Sequence, residues 1–444
     1  MRVSEREILG EDIFSNDKLS RKREVDVLSR IIKHAIGPYV ISIDAPWGTG
    51  KTYFTKVLKS NLDSDIQTIY INAWENDYNT DPSVSIISEL KTIISEDKLE
   101  KITDRFFKFS KIVMPSAIKI ASHGLIDAEK IADAVSNIGE TFMMRQIEDY
   151  QEEKKAIDDL RISLKESAKE AKGNKIIVFI DELDRARPSY AIDFLERVKH
   201  FFEVEGFIFV LSIDESQLFN SIKVNYGQTF DSEKYLRRFI DFKFSLKPNI
   251  PKEFIEDGFL RIGLDEYFIK TRSLGKNMLE DVQIMIKYLA DLNGLTARDV
   301  NQIISKINIR LLSRDEGTNV SFFPLQLIFI ILKHLNKDLY KKYISRSVPA
   351  DEVISALNLV EDKFDKYGDY KTSNTYITGI ILLQLRGQSL KSNFVNNLKK
   401  QKDSTEDDTN NKMRDYATKV LKVMGNYDVH TFNFVLNEFE QIDF

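Results

Sequence analysis

The chain has 444 residues, 42% of them hydrophobic, and its 64 Lys and Arg against 69 Asp and Glu leave a formal net charge of -5. That length allows two or three packed cores, two being the working expectation, and the charge argues against a surface that is a nucleic-acid footprint throughout. With no cysteine there is no disulfide framework, no thiolate nucleophile and no cysteine-based metal site.

The first 24 residues are polar and lack the apolar stretch of a secretory signal, so a cytoplasmic location is expected. Leu19, Val25, Leu28, Ile31 and Ile32 recur at helical spacing over residues 17–36, and Gly37 and Pro38 end that helix. The β-branched run 39–43 predicts a buried strand. Next come Ala45-Pro46-Trp47-Gly48-Thr49-Gly50-Lys51-Thr52 and then helical periodicity over 53–61. Strand, glycine loop and helix in that order aim backbone N–H groups and a helix amino terminus at phosphate oxygens. The G-x-x-x-x-G-K-[ST] pattern holds with one departure, Ala45 in place of the first glycine. The candidate nucleotide contacts are therefore Trp47, Gly48, Thr49, Gly50, Lys51, Thr52 and Tyr53. Gly48 and Gly50 can supply the unusual backbone angles, Lys51 the cation for the β and γ phosphates, and Thr52 a hydroxyl for magnesium.

A further strand is expected at 67–72, before Ala73-Trp74-Glu75. Residues 106–126 are apolar-rich, but Lys108, Lys111, Lys119 and His123 interrupt them and Pro115 and Gly124 break helicity, which excludes a membrane span. Core packing is expected there, with a surface-lying amphipathic helix as the alternative. The charged stretch 145–172, with Ile and Leu at helical spacing, predicts a long exposed helix inside an insertion covering about residues 85–172.

Residues 175–180 form an apolar run ending in Asp181-Glu182, the form of a buried parallel strand that delivers acids at its carboxyl end. Paired with the upstream loop, Asp181 is the candidate magnesium ligand and Glu182 the candidate general base. The structural alternative has Asp181 capping a helix and Glu182 solvated. A helix over about 190–204 leads to a third apolar strand, 207–213, and to Asp214, either a sensor of the γ phosphate or a helix cap. Ser212 can reach the same region. Arg185, Arg187, Arg237 and Arg238 are candidates for a cationic finger. For Arg185 a structural pairing with Asp184 or Asp181 competes, and for Arg237 and Arg238 a solvated helix face. The strand-helix-strand alternation predicts an α/β fold, a P-loop NTPase parallel sheet sandwiched by helices.

In order along about residues 15–245, these motifs resemble the KAP-type P-loop NTPases of the STAND and AAA+-related group. The matching positions are Asp17, Leu19 and Arg21, the Trp-Gly-x-Gly-Lys-Thr loop, Asn72-Ala73-Trp74, Ile180 to Arg185 as an extended Walker B signature, the strand ending in Asp214, and Tyr235 to Ile240. The resemblance implies ATP, with magnesium, as the nucleotide. Many members carry membrane helices between the two Walker motifs, where this chain has only a charged insertion. Bacterial members include components of anti-phage defence, and a similar role is implied here.

Beyond Pro248 helical periodicity dominates, which predicts a nucleotide domain over 1–248 and a mostly α-helical domain over 249–444. Thr296 is the expected amino cap of a helix whose apolar face is Ile303, Ile304 and Ile307. It looks like the sensor-2 helix of AAA+-related proteins, with Arg298 in the position to touch a γ phosphate; pairing of Arg298 with Asp299 is the structural alternative. Residues 322–334 predict the central helix of this bundle, and 398–413 a disordered loop. The five histidines have no metal spacing. Two functions stay open: magnesium-dependent ATP hydrolysis that drives a conformational or assembly switch, through a homo-oligomer or a partner effector, and a motor or remodeller acting on nucleic acid or protein.

Overall fold

The structure, a computed structural model, describes residues 13–79, 81–94, 102–103, 151, 155, 157–270, 275–313, 323–359, 436 and 439. The expectations for 106–126 and 398–413, and for most of the charged stretch before 157, lie outside the described residues.

Five strands, β1 (Tyr39–Asp44), β2 (Gln67–Asn72), β3 (Ile176–Asp181), β4 (Phe207–Ile213) and β5 (Phe242–Ser245), form one parallel sheet in the order β2-β3-β4-β1-β5. Parallel neighbours need crossovers, and helices supply them on both faces. In chain order the helices of this part are α1 (Lys22–His34), α2 (Lys51–Asp63), α3 (Ser83–Leu90), α4 (157–170), α5 (Pro188–Phe202), α6 (Glu215–Tyr226) and α7 (Ser232–Leu236).

The two-residue period of the strands sorts the core into two layers. Ile41, Ile43, Ile177, Phe179, Ile208 and Val210 pack with Val25 and Leu28 of α1 and Phe54 and Leu58 of α2. The alternate positions, Ile176, Val178, Ile180, Phe207, Phe209 and Leu211, pack with Leu160 and Leu164 of α4, Phe194 of α5 and Leu218 of α6. Covered on both sides, β3 and β4 are buried at every residue, which is why they read as continuous apolar runs.

The strand order also positions the site. From β1 the chain crosses β4 and β3 to the edge strand β2, whereas β4 leads back past β1 to the other edge, β5. Ligands of open α/β sheets bind outside the carboxyl ends of the strands where such paths diverge.

The helix expected over 17–36 begins only at Lys22, because the Asp17 carboxylate takes the backbone N–H groups of Arg21 and Lys22 at 2.6 and 3.0 Å and holds the preceding chain in a turn. Strand β5 was not expected from sequence.

Internal contacts divide the chain into two compact units, one of residues 1–17, 21–46 and 50–247 and one of 18–20, 47–49 and 248–444. The described residues of the second form helices: α8 (Lys252–Arg261), α9 (Leu264–Lys270), α10 (Gly275–Asn293), α11 (Ala297–Leu312), α12 (Phe323–Leu335), α13 (Lys337–Ile344) and α14 (Ala350–Ala356). Residues 323–332 of α12 are all buried, so this helix runs through the middle of that unit's core. Among the described residues no helix is long and apolar enough to cross a membrane.

Candidate functional site

The glycine loop leaves β1 at Asp44. Its first residue, Ala45, is buried and donates its N–H to the carbonyl of Ile213 at 3.2 Å, which ties the loop to the end of β4. Gly50 closes the loop at φ 94°, ψ 25° and caps α2; a residue with a Cβ would be strained in that left-handed conformation. Lys51 opens α2, is only 8% exposed, and its Nζ donates to the Ala45 carbonyl. Burial lowers the Lys51 pKa, and the carboxylates of Asp184, Asp214 and Asp181 oppose that shift, so the ammonium lies within the field of three acids. Thr52 is half-buried on the first turn of α2. Tyr53 packs against the core beneath α1 and α2, and burial, helped by Asp17, pushes its phenol up to about 12.

Asp181 ends β3 fully buried. Its Oδ2 accepts from the Tyr70 hydroxyl at 2.8 Å and its Oδ1 from the N–H of Glu182 at 2.9 Å. Glu182 follows at φ 61°, ψ 25°, an uncommon left-handed conformation for a residue with a side chain, and leads into a 3-10 turn over Leu183–Arg185. The Glu182 side chain is 12% exposed, so it is not the solvated residue of the structural alternative. Oε1 accepts from Arg185 Nη1 at 2.5 Å and Oε2 from Asn72 Nδ2 at 3.5 Å. Burial raises its pKa; Arg185 and Asn72 act against that shift, and Asp181 and Asp184 add to it. Arg185 thus pairs with Glu182, where the sequence reading considers Asp184 or Asp181.

At the end of β4, Asp214 caps α6: its Oδ1 accepts from the Ser216 N–H at 3.1 Å, the Ser216 hydroxyl at 2.6 Å and the Gln217 N–H at 3.4 Å. Ser212 stands opposite Asp181 in the β3-β4 register, fully buried, and its hydroxyl has no hydrogen-bond partner among the described residues. A sealed hydroxyl beside the buried acid is a polar atom that an incoming oxygen ligand could satisfy. Sequence inspection missed three supports of the site: Tyr70, the Asn72 contact with Glu182, and Lys243, which bridges Asp44 at 2.8 Å and Glu215 at 2.6 Å. Alternation along β2 would have marked Tyr70 as facing one layer, but nothing local pairs it with Asp181.

Arg237 and Arg238 are exposed just past α7, and Arg237 pairs with Glu233 of the same helix. Arg187 binds Asp77: its backbone N–H donates to Asp77 Oδ2 at 3.0 Å and its Nε lies 3.7 Å from the same oxygen. In the second unit, Thr296 and Asp299 form a reciprocal capping box at the start of α11, and His334 Nε2 lies 3.2 Å from Asp299 Oδ1. Asp299 is thereby engaged by Thr296 and His334. The Arg298 side chain is exposed, while its N–H donates to the Gly48 carbonyl at 3.2 Å. Gly48 has φ +87°, and a Cβ there would sit 2.6 Å from Arg298 Cβ and 2.7 Å from Thr296 Oγ1, so only glycine fits. Beside it Trp47 is exposed and Thr49 buried.

The donor set suits magnesium with a nucleotide. That ion keeps most of its water and takes one or two protein oxygens beside phosphate, and Thr52 and Asp181 offer one hydroxyl and one carboxylate with acceptor capacity left. Among the described residues no group of three or more His, Cys, Asp or Glu could hold a metal by itself.

Residues 21–313 match the KAP family P-loop domain. The phage T7 exclusion protein of Escherichia coli (strain K12) is 22% identical over 225 residues, a stretch that takes in 47% of this chain and 30% of that protein. The crystal structure of a DNA replication initiation factor aligns over 93% of this chain and 92% of its own at 11% identity, with a TM-score of 0.29.

Proposed function

The chain belongs to the KAP family of P-loop domains, and from that premise we propose that it binds ATP with magnesium and hydrolyses it to time a conformational or assembly switch. The observation that carries the proposal is the grouping of Lys51 with Asp181, Asp184 and Asp214 at the carboxyl ends of the central strands, with Glu182 beside them. A buried ammonium among carboxylates is poised for an anionic ligand that brings its own cation.

In this reading the loop's backbone N–H groups and the start of α2 cradle the phosphates, and Lys51 exchanges the Ala45 carbonyl for their oxygens. Magnesium, when bound, neutralises charge developing on the phosphoryl oxygens. Thr52 and Asp181 would hold it, Asp181 being kept in one orientation by Tyr70 and by the Glu182 N–H. Glu182 would orient the attacking water and take its proton. The half-buried setting that raises its pKa makes it a stronger base than a solvated glutamate. The match to a phage exclusion protein supports a place for this switch in defence against phage.

The test is phosphate release from ATP by the wild type, Lys51→Ala and Glu182→Gln, alone and with DNA, RNA or phage lysate. Glu182→Gln is expected to lose on the order of 100-fold or more in turnover while still binding ATP, and Lys51→Ala to lose both. Wild-type turnover retained by both variants would overturn the assignment. Stimulation by DNA or RNA would favour the motor over the switch.

A further inference from the structure

The contacts around Glu182 suggest a second layer of control, which rests on its proposed role as general base. Both carboxylate oxygens already accept from protein donors, Oε1 from Arg185 Nη1 at 2.5 Å and Oε2 from Asn72 Nδ2 at 3.5 Å. The Arg185 guanidinium also lies over the ring of Trp74, 5.9 Å from its centroid, and that ring is 52% exposed. Asn72 and Trp74 are themselves joined, since Asn72 Oδ1 accepts the N–H of Trp74 at 3.1 Å and of Glu75 at 3.3 Å. One turn at the end of β2 therefore carries the second donor to Glu182 and the platform on which the first donor rests.

A base that must take a proton from water needs a lone pair directed at that water. An arginine in hydrogen-bonded contact competes for that lone pair. The left-handed backbone of Glu182 points the same way. Such a conformation is strained in a residue with a side chain and persists when neighbouring contacts hold it.

We infer that Arg185 is a positioning residue that parks Glu182 in a resting ion pair, with exposed Trp74 as its support, and that the pair opens before water is activated. A merely structural arginine would stabilise the 3-10 turn and have no restraining effect on turnover. The two roles predict opposite signs when it is removed.

The experiment compares wild type, Arg185→Ala, Arg185→Lys, Trp74→Ala and the double variant Arg185→Ala/Glu182→Gln in steady-state ATP hydrolysis, with nucleotide binding measured separately by calorimetry. Arg185→Ala is expected to raise kcat roughly tenfold, the rate equivalent of about 1.4 kcal/mol, with little change in KM. Arg185→Lys, which keeps the charge without the planar fork, falls between. Trp74→Ala raises kcat less than Arg185→Ala does. The gain disappears in the Glu182→Gln background, because the restraint acts through that carboxylate. Turnover by Arg185→Ala at or below the wild-type level, or an equal gain in the Glu182→Gln background, would overturn the inference. Should Arg185→Ala not fold, Trp74→Ala carries the same test, with no rise above wild type as the overturning result. Failure of every variant to bind ATP would sink the nucleotide assignment and this inference together, whereas binding without a gain sinks this inference alone.

Discussion

The Tyr70 hydroxyl donates to Asp181 Oδ2 at 2.8 Å, and Asp181 is sealed from solvent. A buried carboxylate needs hydrogen-bond donors or cations in place of its lost water. Tyr70→Phe removes one such donor and leaves Asp181 freer to turn. Because a hydrogen bond to a charged group contributes about 1.5 to 3 kcal/mol, the variant is expected to need roughly tenfold more magnesium, or beyond, for half-maximal phosphate release. A magnesium titration at saturating ATP reads this directly, and an unchanged midpoint would restrict Tyr70 to packing. Lys51 and Asp181 could be picked out of the sequence because each sits in a motif whose neighbours are adjacent in the chain. The Tyr70 contact could not, since the two residues lie 111 positions apart and meet only through the β2-β3 register, in which Asn72 stands opposite Asp181. Asp214 lies between these cases: its cap on α6 uses only residues two and three positions on, so the cap was legible and any second role was not.

At the scale of elements, the amino terminus of α11 repeats that lesson with a measurable energy. Thr296 accepts from the Asp299 N–H and Asp299 returns the bond to Thr296, with His334 beside it. Replacing such a cap by alanine costs about 1 kcal/mol, so Thr296→Ala is expected to lower the unfolding free energy by that much, read as a lower denaturant midpoint at an unchanged slope. Burial pushes the Asp299 carboxyl up, but the hydroxyl and N–H of Thr296 and the nearby His334 outweigh it and leave the pKa below its ordinary value. A carboxyl with a lowered folded-state pKa adds stability that is complete above its unfolded value and is lost as pH falls through the folded one. The gap between wild type and Thr296→Ala should therefore be full at neutral pH and shrink in acid. A gap that persists undiminished in acid would trace the loss to packing instead. The spacing of Thr296, Ile303, Ile304 and Ile307 made this helix readable, as continuous burial did for β3 and β4. Strand β5 escaped because it has four residues, with Phe242 and Lys243 exposed, and exists only through pairing with β1. A lysine on such an edge also discourages pairing with another chain.

For the molecule as a whole, the α/β class was legible because alternating apolar runs and helical periods leave few topologies open. Assembly was not, because a surface that meets a second copy carries no period in sequence. The exposed arginines after α7 turn that gap into a question that can be answered. Phosphoryl transfer gathers negative charge in the transition state, and an arginine donated by a neighbouring subunit can raise the rate by about 10³ to 10⁵. Arg237 pairs with the exposed Glu233, a contact weak enough to exchange for a phosphate. If the switch works by assembly, Arg237→Ala/Arg238→Ala and Glu182→Gln are each expected to be nearly inactive alone. Mixed with ATP present, they should regain turnover, because a subunit with an intact Glu182 can receive arginines from one that has lost it. Sedimentation of the wild type should shift to a larger species with a nonhydrolysable ATP analogue. Unchanged sedimentation, together with a mixture as inactive as its components, would mean that hydrolysis is completed within one chain and that the two arginines belong to a solvated face.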